Sequence, residues 1–205
     1  MPAGYPCPVA ACYVGRIVSN PAYKRATYED LLAVPPHLVA ELIHGSLVTS
    51  PRPAAAHAFV ASGLGMDLGN PFQRGRGGPG GWWILDEPEL HLGPDVLVPD
   101  LAGWRRERMP QVLDVPYFEL APDWLCEVLS PSTEARDRTD KLGIYGAAGV
   151  GWAWLVNPVL QTLEVLENHG GSWMLRSSSR GEATVRAQPF EAVELTLRDL
   201  WLPPA

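Results

Sequence analysis

Trp124-Leu125-Cys126-Glu127-Val128-Leu129, followed by Ser130-Pro131-Ser132-Thr133 and then by residues 134–148, decides how the chain reads. The first six residues are a near-continuous apolar run, the pattern of a central strand covered on both faces. Ser132 or Thr133 can cap the segment after it, Glu134 and Asp137 place acid in the first turns, and Gly149 comes just after the end. These signals predict a helix over 134–148. Gly151 to Val156 (GWAWLV) is then another apolar strand.

Outward from this segment the same grammar holds. Downstream, strands over 162–167 and 172–176 flank Asn168-His169-Gly170-Gly171, a hairpin turn signal, and a short strand is expected near Ala192 to Leu195. Upstream, Thr27-Tyr28-Glu29-Asp30 has the spacing of a capping box and opens a short helix, which Pro35-Pro36 stops. Val39 to Thr49 (VAELIHGSLVT) reads as two strands around His44-Gly45. Residues 54–68 carry Phe59, Val60, Leu64 and Leu68 at helical steps of three and four. Asn70 to Gly81 reads as a Gly-rich loop holding Arg74 and Arg76, and Trp82 to Leu85 as a strand. Asp95 to Trp104 (DVLVPDLAGW) reads as one strand whose Pro99 marks an edge or a bulge. The sum is an α/β chain of the α+β kind, a mixed sheet with two main helices. It is expected to form a single domain over 27–205 behind an extension over 1–26.

Composition sets the outer limits. The chain has 205 residues, 46% hydrophobic and 19% charged, which excludes disordered, collagen-like and coiled-coil classes. Twenty Gly and 21 Pro argue against a long helical bundle. A net charge of −7 excludes a polyanion binder that works through bulk charge, so any nucleic-acid contact needs a local basic patch. Arg74 with Arg76, and Arg105, Arg106 and Arg108 beside Trp104, are the candidate patches, and Trp104 is a candidate for stacking on a base. Cys7, Cys12 and Cys126 have neither the number nor the spacing of a disulfide framework or a zinc site. Residues 1–11 lack Lys and Arg and are broken by Pro2, Pro6 and Pro8. No stretch approaches a membrane span, so a reducing, cytoplasmic setting is expected.

Three acids stand inside strands that otherwise read as buried: Glu41 in VAELI, Asp100 in VLVPDLA and Glu127 in WLCEVL. A carboxylate facing an apolar core is costly unless it is paired or holds a metal. Carboxylates gathered at one site cannot all stay ionised without a cation, and oxygen-only ligands suit Mg²⁺ or Mn²⁺ rather than Zn²⁺. The competing reading puts each acid on a solvated face or against an arginine. Asp137, Lys141 and Tyr145, at steps of four, share one face of the 134–148 helix. Lys141 would then lean over the strand end, or else merely pair with Asp137 on a solvated helix. Nothing resembles the G-x-S-x-G elbow of a serine hydrolase, and Ser130 is better explained as part of the helix entry.

The ordered string Glu127-Val128-Leu129-Ser130-Pro131-Ser132-Thr133, Asp137, Lys141, Tyr145, Ala147 to Val150 and Trp154-Leu155-Val156 resembles the Uma-two family of the PD-(D/E)xK restriction-endonuclease-like superfamily. The resemblance extends upstream through Glu41-Leu42-Ile43-His44-Gly45, Ser50-Pro51, His57 and Pro99-Asp100, and covers about residues 27 to 198. It implies a restriction-endonuclease-like core and a Mg²⁺-dependent endonuclease acting on DNA, with Mn²⁺ as a substitute. Asp100, Glu127 and the carbonyl of Val128 would hold the metal, Glu41 would be the additional acid that completes the site, and Lys141 would supply the catalytic lysine from the following helix. His57 matches a recurrent position without an assigned role. The chain departs from the family's pattern at Ala153-Trp154, Asn157 and His44-Gly45, none of which is a presumed site residue. Superfamily nucleases that cut both strands are commonly dimers, so a homodimer is an expectation. The alternatives are a catalytically silent module on the nuclease fold that binds nucleic acid or protein, and a dimeric scaffold whose acids pair with arginines.

Overall fold

The computed structural model describes residues 24–203. The extension expected over 1–26, with Cys7 and Cys12, therefore lies almost wholly outside the described residues. Among the described residues twelve strands are formed: β1 Leu38–Ile43, β2 Ser46–Pro51, β3 Trp82–Asp86, β4 Leu90–Leu92, β5 Asp95–Leu97, β6 Leu101–Arg105, β7 Trp124–Val128, β8 Trp152–Asn157, β9 Thr162–His169, β10 Ser172–Arg180, β11 Thr184–Val185 and β12 Leu195–Thr196. They build a six-stranded sheet in the order β10-β9-β8-β7-β6-β3, a four-stranded sheet in the order β2-β1-β5-β4, and the small β11-β12 pair. In the larger sheet β7 and β8 are parallel and the other neighbours antiparallel. Every residue of β7 is buried, as its apolar run requires.

The two longer helices cover the two faces of that sheet, and the shortest lies against Leu42 and Val96 of the smaller sheet. The first, α1 (Tyr28–Leu32), carries the full capping box: the Thr27 side chain accepts from the Asp30 N–H and the Asp30 carboxylate accepts from the Thr27 N–H. The second, α2 (Ala55–Leu68), lays Val60, Leu64 and Leu68 against Trp124, Cys126 and Val128 of β7, together with Phe190, Leu197 and Trp201 from the tail. The third, α3 (134–147), lies on the opposite face. There Leu142, Ile144 and Tyr145 meet Leu125, Ala153 and Leu155 of the sheet and Ile43, Leu90 and Leu97 of the smaller sheet. Successive β7 residues alternate between the two cores, so Glu127 is directed to the same side as Leu125, under α3.

Four expectations need correction. Residues 95–104 are not one strand. Pro99-Asp100 separates β5, in the smaller sheet, from β6, in the larger, because proline cannot donate to a ladder and the chain changes sheet where it stands. The loop expected from Asn70 is helical at its start, since α2 runs on into a π-helical turn, Gly69–Gln73, closed by the Arg74 N–H on the Gly69 carbonyl. The predicted 134–148 helix is interrupted by a π-helical turn, Asp137–Lys141, between Glu134–Arg136 and Leu142–Ala147. The short strand near 192–195 forms at Leu195–Thr196. The hairpin at His44-Gly45 is present, with φ of 51° and 79° at the two turn residues. Those positive values are what a two-residue hairpin turn demands.

Candidate active site

Antiparallel register pairs Leu101 of β6 with Cys126 of β7. One step further along, Asp100 comes opposite Glu127. The Asp100 Oδ2 accepts the Val128 N–H at 2.7 Å, which ties the sheet-changing corner to the end of β7. Glu41, from β1 of the smaller sheet, is brought in by the Val98 N–H, which donates to its Oε1 at 2.9 Å. Glu41, Val98, Asp100, Glu127 and Val128 line one cavity of about 320 Å³, together with His57, Asp137 and Lys141.

Lys141 organises the interior. Its Nζ lies 2.9 Å from Glu41 Oε1, 2.9 Å from Glu127 Oε1 and 3.9 Å from Asp137 Oδ1. Lys141 and Glu127 are each 3% exposed, so the reading of Asp137–Lys141 as a pair on a solvated helix is wrong. The π-helical turn is where this happens: the Leu142 N–H reaches back five residues to the Asp137 carbonyl, and the widened turn points both side chains inward. The Tyr145 hydroxyl, also fully buried, donates to Glu127 Oε1 at 2.7 Å. On the other side, His57 from the first turn of α2 places Nε2 3.2 Å from Asp100 Oδ1. Its Nδ1 is buried with no partner, an arrangement in which Nε2 carries the proton and donates to Asp100.

The charges do not balance. Glu41, Asp100, Glu127 and Asp137 face one ammonium and one imidazole. Burial pushes the Glu127 carboxyl well above the usual carboxylate range, with Lys141 offsetting only part of that push. Burial likewise raises Asp137, again opposed by Lys141. Burial alone would lower Lys141, but Glu127, Glu41 and Asp137 outweigh it and hold the ammonium charged. Burial is the largest single influence on His57 and lowers it, but the bond to Asp100 and the charges of Asp100, Asp137 and Glu87 together outweigh it, for a net rise. An excess of buried carboxylate oxygen over cation is the donor chemistry of a hard divalent ion, and Asp100, Glu127 and the Val128 carbonyl could hold one. They do not stand as a closed cage: among the described residues no three His, Cys, Asp or Glu side chains are grouped as metal ligands, and Lys141 occupies the space between Glu41 and Glu127.

The sequence-predicted basic patches fall elsewhere. None of Arg74, Arg76, Arg105, Arg106 and Arg108 lines the cavity. Arg105 and Arg106 stack over Trp82 and Trp83, with guanidinium carbons 4.6 and 3.9 Å from the ring centroids, and Arg108 pairs with Asp123 at 2.9 Å. They sit where β6 ends, the end opposite Asp100. Trp104 is buried and donates its indole N–H to the Leu120 carbonyl, so it cannot stack on a base. Sequence reasoning missed the link from Tyr145 to Glu127 and the pairing of His57 with Asp100. The helical spacing of Tyr145 from Lys141 was the one signal for the first.

A solved structure with the same fold is that of a "putative nuclease belonging to DUF820" from Anabaena variabilis. It is 22% identical, with a TM-score of 0.68, over 85% of this chain and 97% of that one. No curated protein is significantly similar to the chain. No helix among the described residues is long and apolar enough to cross a membrane. The family model Uma2, described as "Putative restriction endonuclease", matches residues 25–198, and the chain belongs to that family.

Proposed function

We propose that the protein is an endonuclease that hydrolyses DNA phosphodiester bonds with Mg²⁺, or Mn²⁺ in its place, at the cavity between α2, α3 and the two sheets. The observation that carries this reading is the buried convergence of Glu41, Glu127 and Lys141, with Asp100 held opposite Glu127 through the Val128 N–H. Asp100, Glu127 and the Val128 carbonyl are assigned to the metal, with Glu41 as the acid that completes the site. A divalent ion held there would lower the pKa of a water and offset phosphate charge.

The remaining chemistry belongs to the chain. Tyr145 and Lys141 fix Glu127 through one oxygen, Oε1. His57 and Val128 fix both oxygens of Asp100. The site is therefore held before substrate arrives, which is how positioned charge lowers a barrier without reorganisation. Lys141 keeps a permanent positive charge beside the acids, where an attacked phosphate accumulates negative charge. Glu41 and Glu127 pair with this ammonium and not with an arginine, against the scaffold alternative.

The test is cleavage of supercoiled and linear DNA. The account predicts nicking or cutting that EDTA stops and that Asp100→Ala removes while the fold is kept. Cleavage by the Asp100→Ala protein at the wild-type rate would overturn it.

A further inference from the structure

The lip of the cavity differs from its floor. The floor is acidic, whereas the lip carries the hydroxyls of Ser50, Ser130, Ser132 and Thr133. Ser130 Oγ lies 3.0 Å from both Ser132 Oγ and Thr133 Oγ1, so three of these hydroxyls form one chain. Two arginines stand beside them. Arg52 lines the cavity but is committed, with one guanidinium nitrogen 3.4 Å from Glu87 and another 3.2 Å from the Pro36 carbonyl. Arg136 is not. It immediately precedes Asp137 on α3, and among the described residues its side chain makes one long hydrogen bond, 3.4 Å from a terminal nitrogen to Ser50 Oγ. Its Nε is shut off from solvent with no acceptor. No carboxylate among the described residues lies within ion-pair distance of it. A buried guanidinium donor without an acceptor is a costly arrangement, and an anion that joins it removes the cost.

We propose that Arg136, with the Ser50 hydroxyl it leans on and the hydroxyl chain of Ser130, Ser132 and Thr133, is a subsite for a DNA backbone phosphate neighbouring the one attacked at the acidic floor. The proposal rests on the nuclease reading and adds to it the surface that holds the strand. A guanidinium fork and a serine hydroxyl are common donors to phosphate oxygens, and they fix register without reading sequence. The arrangement also explains how a chain of net charge −7 presents a polyanion to a negative floor: a local cation stands behind the Ser50 hydroxyl of the lip, one residue in sequence from Asp137.

The experiment measures binding of a short labelled DNA duplex by fluorescence anisotropy, with Ca²⁺ replacing Mg²⁺, over a range of salt. Loss of one phosphate contact lowers the slope of log K against log salt by about 0.9. Between 50 and 200 mM salt, wild type should therefore lose about 3.5-fold more affinity than Arg136→Gln. Arg136→Lys should keep most of the slope, and the loss in Arg136→Gln should be the same on unrelated duplexes. Ser50→Asp, near the end of the β1-β2 hairpin, supplies a second route by setting a carboxylate at the subsite, and should weaken binding. Wild-type slopes in both Arg136→Gln and Ser50→Asp, in a protein that still binds and cuts DNA, would overturn the subsite alone. Failure of the wild-type protein to bind duplex at any salt would overturn the subsite and the nuclease reading together.

Discussion

Lys141→Met is a replacement of similar volume that removes a single charge from the centre of the site. The ammonium it deletes stands 2.9 Å from Glu41, 2.9 Å from Glu127 and 3.9 Å from Asp137, all nearly fully buried. Removing one partner of a buried ion pair costs about 3–5 kcal/mol, because the charge left behind has neither water nor a counter-ion. That is a large share of a typical total stability of about 5–15 kcal/mol. At about 2–4 °C per kcal/mol for a chain of this size, Tm should fall by roughly 6–20 °C at neutral pH. The loss should depend on pH. Burial raises the Glu127 and Asp137 carboxyls above their ordinary values of 4.5 and 3.8, and Lys141 is the first influence that brings each back down. Without it both rise further. A carboxyl whose folded pKa is raised stabilises the fold below its unfolded pKa, and that contribution is lost as pH climbs through the folded value. The gap between variant and wild type should therefore be small near pH 4 and widen above it as the stranded acids ionise. Thermal melts by circular dichroism across this range read the gap directly. A loss below about 1 kcal/mol at neutral pH, or one that does not change with pH, would contradict the assignment of Lys141 as the buried counter-ion.

Tyr145→Phe should cost about 1.5–3 kcal/mol in urea unfolding, since it deletes a hydrogen bond to a buried carboxylate. A fully neutral result would mean that Glu127 is not held by that hydroxyl. Mg²⁺ at about one hundred times its Kd should add about 2.7 kcal/mol, or roughly 5–11 °C in Tm, with EDTA reversing it and Asp100→Ala showing none of it. Trp104→Ala should destabilise by about 3–5 kcal/mol through the cavity it leaves, while DNA affinity of the folded protein stays unchanged. Weakened DNA binding without loss of stability would restore Trp104 as a contact residue.

The parts of the fold written in local chemistry were legible. The capping box at Thr27, the His44-Gly45 turn and the wholly buried β7 are each fixed by a few adjacent residues, and each forms as read. The change of sheet at Pro99-Asp100 was not, because a proline within an apolar run signals a break without saying which partner the next strand takes. The same limit hid the π-helical turn at Asp137–Lys141. Its spacing matches an ordinary helix, and tertiary demand, the need to bury an ammonium among acids, sets the wider turn. At the site, the buried acids could be picked out one by one from their apolar neighbours. Their counter-groups, His57 for Asp100 and Tyr145 for Glu127, come from helices 43 and 18 residues away in sequence, and only the helical spacing of Tyr145 from Lys141 hinted at either. The arginine patches misled for a related reason: clustering in sequence did not bring them to the acids, and Arg105 and Arg106 stand at the far end of β6, stacked on Trp82 and Trp83.

A crystal of the wild-type protein soaked in Mn²⁺ and measured for anomalous scattering tests the central claim most directly. The account predicts one strong peak in coordination distance of Asp100, Glu127 and the Val128 carbonyl, absent from Asp100→Ala crystals treated alike. A cavity that stays free of Mn²⁺ at millimolar concentration, with Lys141 still bridging Glu41 and Glu127, would contradict it.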